Sequence, residues 1–178
     1  MKPLLYNFDR HLTGWVKNII PINLQPLMVT ITNIGDPIAT LAIAICVGLY
    51  GLFYNIKLAQ ASLLIPATLM IGAVIKFIFQ RARPLNEYIG LIKIDTYSFP
   101  SGHSSGAMVA YGLLAYVAFC KLPAPFNYIV SMALITVPIL VGLSRIYLGA
   151  HYPSDVLAGW LLGALALAVI VLVIKPFS

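Results

Sequence analysis

A lysine inside an apolar segment is the first residue of this sequence that could do chemistry. Lys76 lies in the apolar run 72–79, and Arg83 and Pro84 follow seven and eight residues later. A cation near a helix end can extend to the lipid headgroups, but an ionisable residue within a membrane span is otherwise a functional candidate. Seven residues are about two helical turns, which predicts both cations on the same side of a helix. Arg81, between them, is assigned to the headgroups.

The segment 98–106 predicts an anion-binding helix start. Pro100, Ser101 and Gly102 are residues that open helices, and the first N–H groups of a helix have no partner within it. These groups and the helix dipole favour an anion at this end. His103 stands at the same position, where it would face that anion. The alternative is an ordinary Ser-capped helix start with an incidental histidine.

The segment 144–155 combines a cation, an imidazole and a carboxylate. Arg145 falls at the end of an apolar run, and His151 and Asp155 are four residues apart. This spacing lets the carboxylate reach the imidazole in a helical turn or tight loop. A carboxylate bound to one ring nitrogen fixes the tautomer and leaves the other nitrogen free to attack. The alternative is an interfacial histidine beside an aspartate that only caps the next helix.

Together the three segments favour phosphoryl chemistry. Cations and backbone N–H groups bind a phosphoryl group, one histidine attacks it, and the other protonates the leaving oxygen.

The composition indicates that membrane helices position these residues. Of 178 residues, 11 are basic and 5 acidic, giving net charge +6 and a charged fraction of 9%, and 61% are hydrophobic. Soluble domains are about 25% charged. Neither a soluble globule of this size nor a disordered chain fits these values. The sequence has no basic run, which argues against nucleic-acid binding. Cys46 and Cys120 lie in apolar runs and are interpreted as small buried hydrophobic residues.

Five stretches are long and apolar enough to span a bilayer: 38–54, 58–80, 105–120, 128–148 and 156–174. Asp36 and Pro37 predict a helix start before the first. Residues 12–35, interrupted by Pro21 and Pro26, predict one or two short helices in the membrane surface. The expected fold is therefore an all-α, polytopic helical bundle. It is one domain over 1–178, with interfacial N-terminal helices in 1–36 and a transmembrane bundle in 37–174.

Five spans place all three motif segments and the N-terminus at one end of the bundle, and the C-terminus at the other. The opposite end carries only Lys57, Lys121 and Lys175. Outside the motifs, the first end retains five basic residues: Lys2, Arg10, Lys17, Arg81 and Lys93. Five against three is a slight bias that by itself puts the motif end in the cytoplasm.

These motifs resemble those of the type 2 phosphatidic acid phosphatase (PAP2) superfamily, which shares its site plan with vanadium haloperoxidases. The family pattern is Lys, six residues, Arg-Pro; then Pro-Ser-Gly-His; then Ser-Arg, five residues, His, three residues, Asp. This sequence matches all three parts in order, over residues 76–155.

The resemblance implies a role for each motif residue. His151 would be the nucleophile that forms a phosphohistidine, Asp155 its support, and His103 the general acid. The phosphoryl oxygens would be held by Lys76, Arg83, Ser101, the Gly102 N–H and Arg145. No metal or other cofactor is implied. Glu87, Tyr88, Lys93 and Asp95 match no family motif, and a solvated loop is favoured over a role in headgroup choice.

The implied function is an integral membrane lipid phosphatase of the bacterial inner membrane, with its site facing the periplasm. The candidate substrates are undecaprenyl diphosphate, phosphatidylglycerol phosphate, phosphatidic acid and the lipid A 1-phosphate. A lipid phosphotransferase on the same scaffold remains open, because the covalent step is shared. A haloperoxidase is disfavoured because those relatives are larger, soluble and bind vanadate. A non-catalytic membrane protein predicts that loss of His151 changes no activity. The sequence leaves the oligomeric state undetermined.

Overall fold

The structure is a computed structural model that describes residues 3–84, 90 and 97–177, and these residues form helices and no strand. Glu87, Tyr88, Lys93 and Asp95 lie outside the described residues. The helices, in chain order, are α1 (Pro3–Ile19), a 3₁₀ turn (Ile22–Leu24), α2 (Gln25–Ile34), α3 (Pro37–Tyr54), α4 (Ile56–Ser62), α5 (Leu64–Phe79), α6 (Gly102–Lys121), α7 (Phe126–Tyr147) and α8 (Pro153–Val169), which continues as a π-helical turn (Ile170–Ile174).

Within the described part of the chain, five helical segments are long and apolar enough to cross a membrane, which confirms the predicted all-α membrane bundle. They are Pro37–Tyr54, Ile56–Phe79, Gly102–Lys121, Phe126–Tyr147 and Pro153–Ile174, of 18 to 24 residues each. At about 1.5 Å per residue these lengths match a hydrocarbon core of about 30 Å. The third span begins one turn earlier than predicted, at Gly102. The first span begins as predicted: Asp36 caps it by accepting a hydrogen bond from the Ile38 N–H (2.8 Å), with Pro37 next.

Helix α6 is the centre of the bundle. In its span window 56% of the residues are buried, against 17% in the first and last spans. Its buried face is rich in small residues, including Gly106, Ala107, Ala110 and Gly112, which allow neighbouring helices to approach closely. The start of α6 therefore has a fixed position relative to the ends of the helices around it.

The N-terminal region forms helices as predicted, but the first begins at Pro3 rather than near residue 12. Val16 of α1 and Met28 of α2 are buried in one cluster with Tyr147 and Val156. Helices α1 and α2 are thus packed against the ends of α7 and α8 that carry the third motif. Their predicted position in the membrane surface stays a prediction.

Contacts at the two ends of the bundle agree with the predicted sidedness of the termini. Asp9 of α1 accepts a hydrogen bond from the Ser154 N–H (2.9 Å), beside the motif residues. At the opposite end, the Asn55 side-chain amide donates to the Pro176 carbonyl, and Lys121 lies over the Phe177 ring at 4.6 Å. We call the end that holds Ser154 the motif end.

The prediction that the cysteines are buried is wrong. Cys46 and Cys120 are both free and exposed on the surface of the bundle. A membrane helix presents apolar residues to lipid as well as to its neighbours, so an apolar run does not predict which face is buried.

Candidate active site

His151 lies at the centre of the motif end, in the short loop between α7 and α8. It is 2% exposed, and the loop turns tightly because the Ala150 and His151 N–H groups both donate to the Arg145 carbonyl (3.1 and 3.3 Å). Gly149 has φ 71° in this turn, a conformation that suits glycine. The imidazole is therefore held rigidly at the end of the bundle.

The two ring nitrogens of His151 have different neighbours. Nε2 lies 3.3 Å from Arg83 Nη1, and Nδ1 lies 3.6 Å from Asp155 Oδ2. The second distance brings the carboxylate next to the imidazole, as predicted, although it exceeds a normal hydrogen bond. A proton on Nδ1 would face the carboxylate and leave the Nε2 lone pair facing the cations.

Three predicted cations surround His151. Burial lowers the pKa of the His151 imidazole well below its usual value, and the charges of Arg145, Arg83 and Lys76 lower it further. The ring is therefore neutral near pH 7. A neutral imidazole among three cations is chemically able to act as a nucleophile towards an anion bound by those cations.

Lys76 and Arg83 lie on the same side, near His151, as predicted, but they are not brought there by two turns of one helix. Helix α5 ends at Phe79, and Gln80 adopts the left-handed conformation (φ 44°), so no helix joins the two cations. Arg83 lies in the irregular segment that follows. Its guanidinium donates to the Ala150 carbonyl (2.7 Å) and the Tyr97 carbonyl (2.9 Å), which fixes it beside His151.

Arg145 is in the last turn of α7 and is 2% exposed. Its Nη1 donates to the Thr32 hydroxyl of α2 (2.9 Å). Thr32 is itself buried, and nothing in its sequence surroundings indicated this contact. One function of α2 is therefore to orient a cation of the site.

The N-terminus of α6 also faces the cations. Ser101 is the N-cap: its hydroxyl oxygen accepts from the Ser104 N–H (3.3 Å) and the Ser104 hydroxyl (2.8 Å). Lys76 Nζ lies 4.0 Å from where a Cβ on Gly102 would stand. The amide end of the helix and the ammonium group thus share one space, which suits a phosphoryl group. Direct contact of Ser101 with phosphate stays a prediction.

His103 lies in the first turn of α6 and has a carboxylate neighbour that sequence reasoning missed. Its Nε2 lies 3.7 Å from Asp36 Oδ2, while Asp36 Oδ1 caps α3. The sequence signalled only the capping role of Asp36. A carboxylate at this distance can orient the imidazole, which is the group predicted to act as the general acid.

Close packing of α8 on α6 brings Asp155 to the helix start. A Cβ on Gly159 would stand 2.5 Å from the Ser101 carbonyl oxygen, so only glycine fits there. The Ser101 N–H donates to the Asp155 carbonyl (3.0 Å) one turn earlier on α8. The second and third motifs are therefore joined by backbone contacts.

The assignment of Arg81 to the headgroups is wrong. Arg81 Nη2 lies 2.6 Å from Asp9 Oδ2, its Nη1 bonds Asp155 Oδ1, and its side chain is 15% exposed. The guanidinium also lies 4.1 Å above the Tyr152 ring. The two carboxylates and the aromatic face draw Arg81 into the protein, and its chief partner, Asp9, is too distant in sequence to be recognised.

A cavity of about 310 Å³ lies next to these groups and opens between α3, α5 and α6. Its lining is mostly apolar and includes Lys76, with Pro37, Leu69, Gly72, Ala73, Phe77, Tyr97 and Gly102. A phosphate at the site would thus have an apolar path to the lipid-facing side of the bundle.

Comparison with known proteins agrees with this geometry. The model of the PAP2 superfamily matches residues 57–177. Phosphatidylglycerophosphatase B of Bacillus subtilis (strain 168) is 32% identical over 147 residues, covering 80% of this chain and 71% of its own. An undecaprenyl-diphosphatase of Sulfolobus acidocaldarius is 35% identical over 100 residues, and this match covers 54% of the chain and 45% of that relative.

Two solved structures share the fold. The transmembrane PAP2-type phosphatidylglycerolphosphate phosphatase from Bacillus subtilis superposes with a TM-score of 0.85 at 26% identity, covering 99% of this chain and 89% of the other. Aquifex aeolicus LpxE superposes with a TM-score of 0.71 at 21% identity, covering 90% and 93%, and this shows the fold alone.

The chain belongs to the PAP2 superfamily. Within that superfamily it is an integral membrane lipid phosphatase.

Proposed function

We propose that the chain hydrolyses the terminal phosphate of a membrane lipid phosphate or diphosphate through a phosphohistidine on His151. The observation that carries this mechanism is the position of Nε2, which faces Arg83 at 3.3 Å while Nδ1 faces Asp155. A nucleophile whose unprotonated nitrogen points into a group of cations is arranged to meet a phosphoryl group.

In the first step, the Nε2 lone pair of His151 attacks phosphorus and forms the N–P bond. The bond from phosphorus to the leaving oxygen breaks, and its electron pair stays on that oxygen. His103 donates a proton to it, which gives a lipid alcohol from a monophosphate or a lipid monophosphate from a diphosphate. Lys76, Arg83, Arg145 and the N–H of Gly102 stabilise the charge that develops on the phosphoryl oxygens.

In the second step, water attacks the phosphorus of the phosphohistidine. His103, now neutral, accepts a proton from this water, and the N–P bond breaks with its electron pair returning to Nε2. Phosphate leaves, and both histidines return to their starting forms. Throughout, Asp155 supports the Nδ1 proton and the positive charge that the ring acquires.

The cavity between α3, α5 and α6 supports a lipid substrate. Its apolar lining begins at Lys76 and opens toward the outside of the bundle, so the alkyl chains can remain in the bilayer while the headgroup reaches His151. Phosphatidylglycerol phosphate is the first substrate to test, because the Bacillus subtilis relative whose match covers 80% of this chain is named phosphatidylglycerophosphatase B.

We also propose that the motif end faces the periplasm of the bacterial inner membrane, as the family resemblance implies. The slight excess of basic residues at that end favours the opposite orientation, but the three lysines of the other end, Lys57, Lys121 and Lys175, have no acidic residue beside them in the sequence. Labelling Lys57→Cys in intact cells, in a background with Cys46→Ala and Cys120→Ala, distinguishes the two. Modification by a membrane-impermeant thiol reagent would contradict a periplasmic site.

The function is tested by phosphate release from purified undecaprenyl diphosphate, phosphatidylglycerol phosphate, phosphatidic acid and the lipid A 1-phosphate. We expect free phosphate from at least one lipid, and loss of at least about 1,000-fold in His151→Ala. Equal release by His151→Ala, or none from any lipid, contradicts the proposal. Transfer to a second lipid without free phosphate would instead identify a phosphotransferase.

A further inference from the structure

Arg81 joins the N-terminal helix to the carboxylate that faces His151. Its Nη2 lies 2.6 Å from Asp9 Oδ2, and its Nη1 bonds both Asp155 Oδ1 and the Ser154 hydroxyl (2.7 Å). One guanidinium therefore bridges α1 to the first turn of α8. Asp9 is 1% exposed and Asp155 is 0% exposed, so both charges depend on protein groups for their stability.

Asp9 accepts three hydrogen bonds from Arg81 and Ser154. Its Oδ1 accepts from the Ser154 N–H, and its Oδ2 accepts from the Ser154 hydroxyl, each at 2.9 Å, in addition to Arg81. These contacts hold the guanidinium at one position. Helix α1 thus reaches the catalytic segment through a charged contact as well as through the apolar packing of Val16.

The orientation of Asp155 follows from these contacts. Arg81 occupies Oδ1, and the Tyr152 N–H donates to Oδ2 (2.9 Å). Oδ2 is also the oxygen that lies 3.6 Å from His151 Nδ1. With Oδ1 held by the guanidinium, the carboxylate cannot rotate away from the imidazole.

We infer that Arg81, anchored by Asp9, is a positioning residue that orients Asp155 toward His151 and makes helix α1 part of the catalytic unit. Arg81 acts through Asp155 and does not touch the reacting phosphorus. This inference rests on the proposed role of His151. It assigns a function to two residues whose types the three family motifs do not specify.

Arg81 and Asp9 carry opposite charges, so replacing each should shift the pH profile in opposite directions. If the two residues only packed α1 against the bundle, no such opposite shifts would be expected. Among the described residues, Lys76, Arg83 and Arg145 act on His151, together with its partner Asp155. Arg81 acts on Asp155, and Asp9 acts through Arg81. Replacing Arg81 by glutamine removes the positive charge that neutralises Asp155, and the remaining negative charge favours protonated His151. Replacing Asp9 by asparagine removes the negative charge that neutralises Arg81, and the remaining positive charge disfavours protonated His151. The acid limb of the kcat/KM profile should therefore move to higher pH in the first variant and to lower pH in the second.

The experiment compares purified full-length variants on whichever of the four lipids the wild type hydrolyses fastest. We expect Arg81→Gln to lower kcat about 30-fold with KM changed less than about threefold, and Asp9→Asn to lower kcat about 10-fold. Arg81→Lys should recover only part of the loss, because a single ammonium cannot bridge two carboxylates as a guanidinium does. The double variant should have a kcat no lower than that of Arg81→Gln, because both substitutions break the same connection from Asp9 through Arg81 to Asp155. Arg10→Gln, an exposed cation of the same helix, is the matched control.

The inference is overturned if Arg81→Gln and Asp9→Asn keep wild-type kcat, or if their acid limbs move in the same direction. Should Arg81→Gln fail to fold, the positioning role is tested with Arg81→Lys and Asp9→Asn, by kcat and by the acid limb of the kcat/KM profile. An active enzyme whose activity survives His151→Ala contradicts the proposed function instead. Loss in His151→Ala with unchanged Arg81 variants contradicts only the positioning role.

Discussion

Nε2 of His103 lies 3.7 Å from Oδ2 of Asp36, so the histidine at the start of α6 and the cap of α3 form an ion pair when the imidazole is protonated. One aspartate therefore both begins the first span and faces the proposed general acid. This pairing ties the position of the proton donor to the packing of two spans.

Replacing Asp36 by asparagine should impair the acid while keeping the helix cap, because asparagine caps helices well. Loss of the carboxylate removes the neighbour that orients the proposed proton donor, so kcat should fall about 10-fold. Asp36→Ser, which also caps but is neutral, should behave in the same way. An unchanged kcat in both variants would show that Asp36 serves only α3.

The pKa of His151 has a consequence for stability. Its pKa in the folded protein is lowered by burial first and then by Arg145, Arg83 and Lys76, so below about pH 6.5 the unfolded chain binds a proton that the folded chain does not. Stability should therefore fall as the pH decreases from about 6.5 toward the folded pKa, by up to about 1.4 kcal/mol per pH unit. Thermal unfolding of His151→Gln in detergent should show a smaller decrease between pH 7 and 5 than the wild type. An identical decrease in both proteins would rule out this contribution.

The hydrogen bond from Arg145 to Thr32 should matter for anion affinity. Thr32→Val keeps the shape of the side chain but removes the acceptor, at a cost of about 1 kcal/mol, which is about fivefold in affinity. We expect the inhibition constant of inorganic phosphate to rise by that factor. Thr30→Val, on the exposed side of the same helix, is the control. Equal inhibition constants in the two variants would contradict an orienting role for Thr32.

Gly159 should tolerate no side chain. In Gly159→Ala the new Cβ would stand 2.5 Å from the Ser101 carbonyl oxygen, and backbone cannot move aside as a flexible side chain can. We expect destabilisation of about 2 kcal/mol, measured as a lower unfolding midpoint, together with reduced kcat. Gly14→Ala is the matched control, since no atom lies within 4 Å of its Cβ position. A midpoint equal to that of Gly14→Ala would show that α8 can shift away from α6.

The spans and the motif residues were predictable because a chain with few charges leaves long apolar runs and conspicuous exceptions. Lys76 and Arg145 are conspicuous because they interrupt or end such runs, and His103 because it lies at a Ser- and Gly-rich helix start. His151 and Asp155 were recognised by their spacing of four residues. The second span was predicted to end at Gln80, but the seven-residue spacing of Lys76 and Arg83 gave no sign that Gln80 turns Arg83 off the helix. Beyond this turn Arg83 is held by hydrogen bonds to the Tyr97 and Ala150 carbonyls, which lie far from it in sequence.

Contacts between distant parts of the chain account for the other misses. Asp9 meets Ser154 and Arg81 only because α1 folds back over the motif end, and Thr32 meets Arg145 only because α2 packs beside α7. A single sequence carries no signal for such pairs, because hydrogen bonding between side chains depends on tertiary position rather than on local periodicity.

Because the cavity between α3, α5 and α6 opens toward the lipid-facing side of the bundle, the relevant substrate concentration is that within the bilayer and not that in the bulk solution. A substrate whose chains remain in the bilayer reaches Lys76 by diffusion in two dimensions. The rate should then depend on the mole fraction of the substrate among the surrounding lipids. Adding more vesicles of the same composition would leave turnover unchanged, whereas diluting the substrate with inert lipid would slow it.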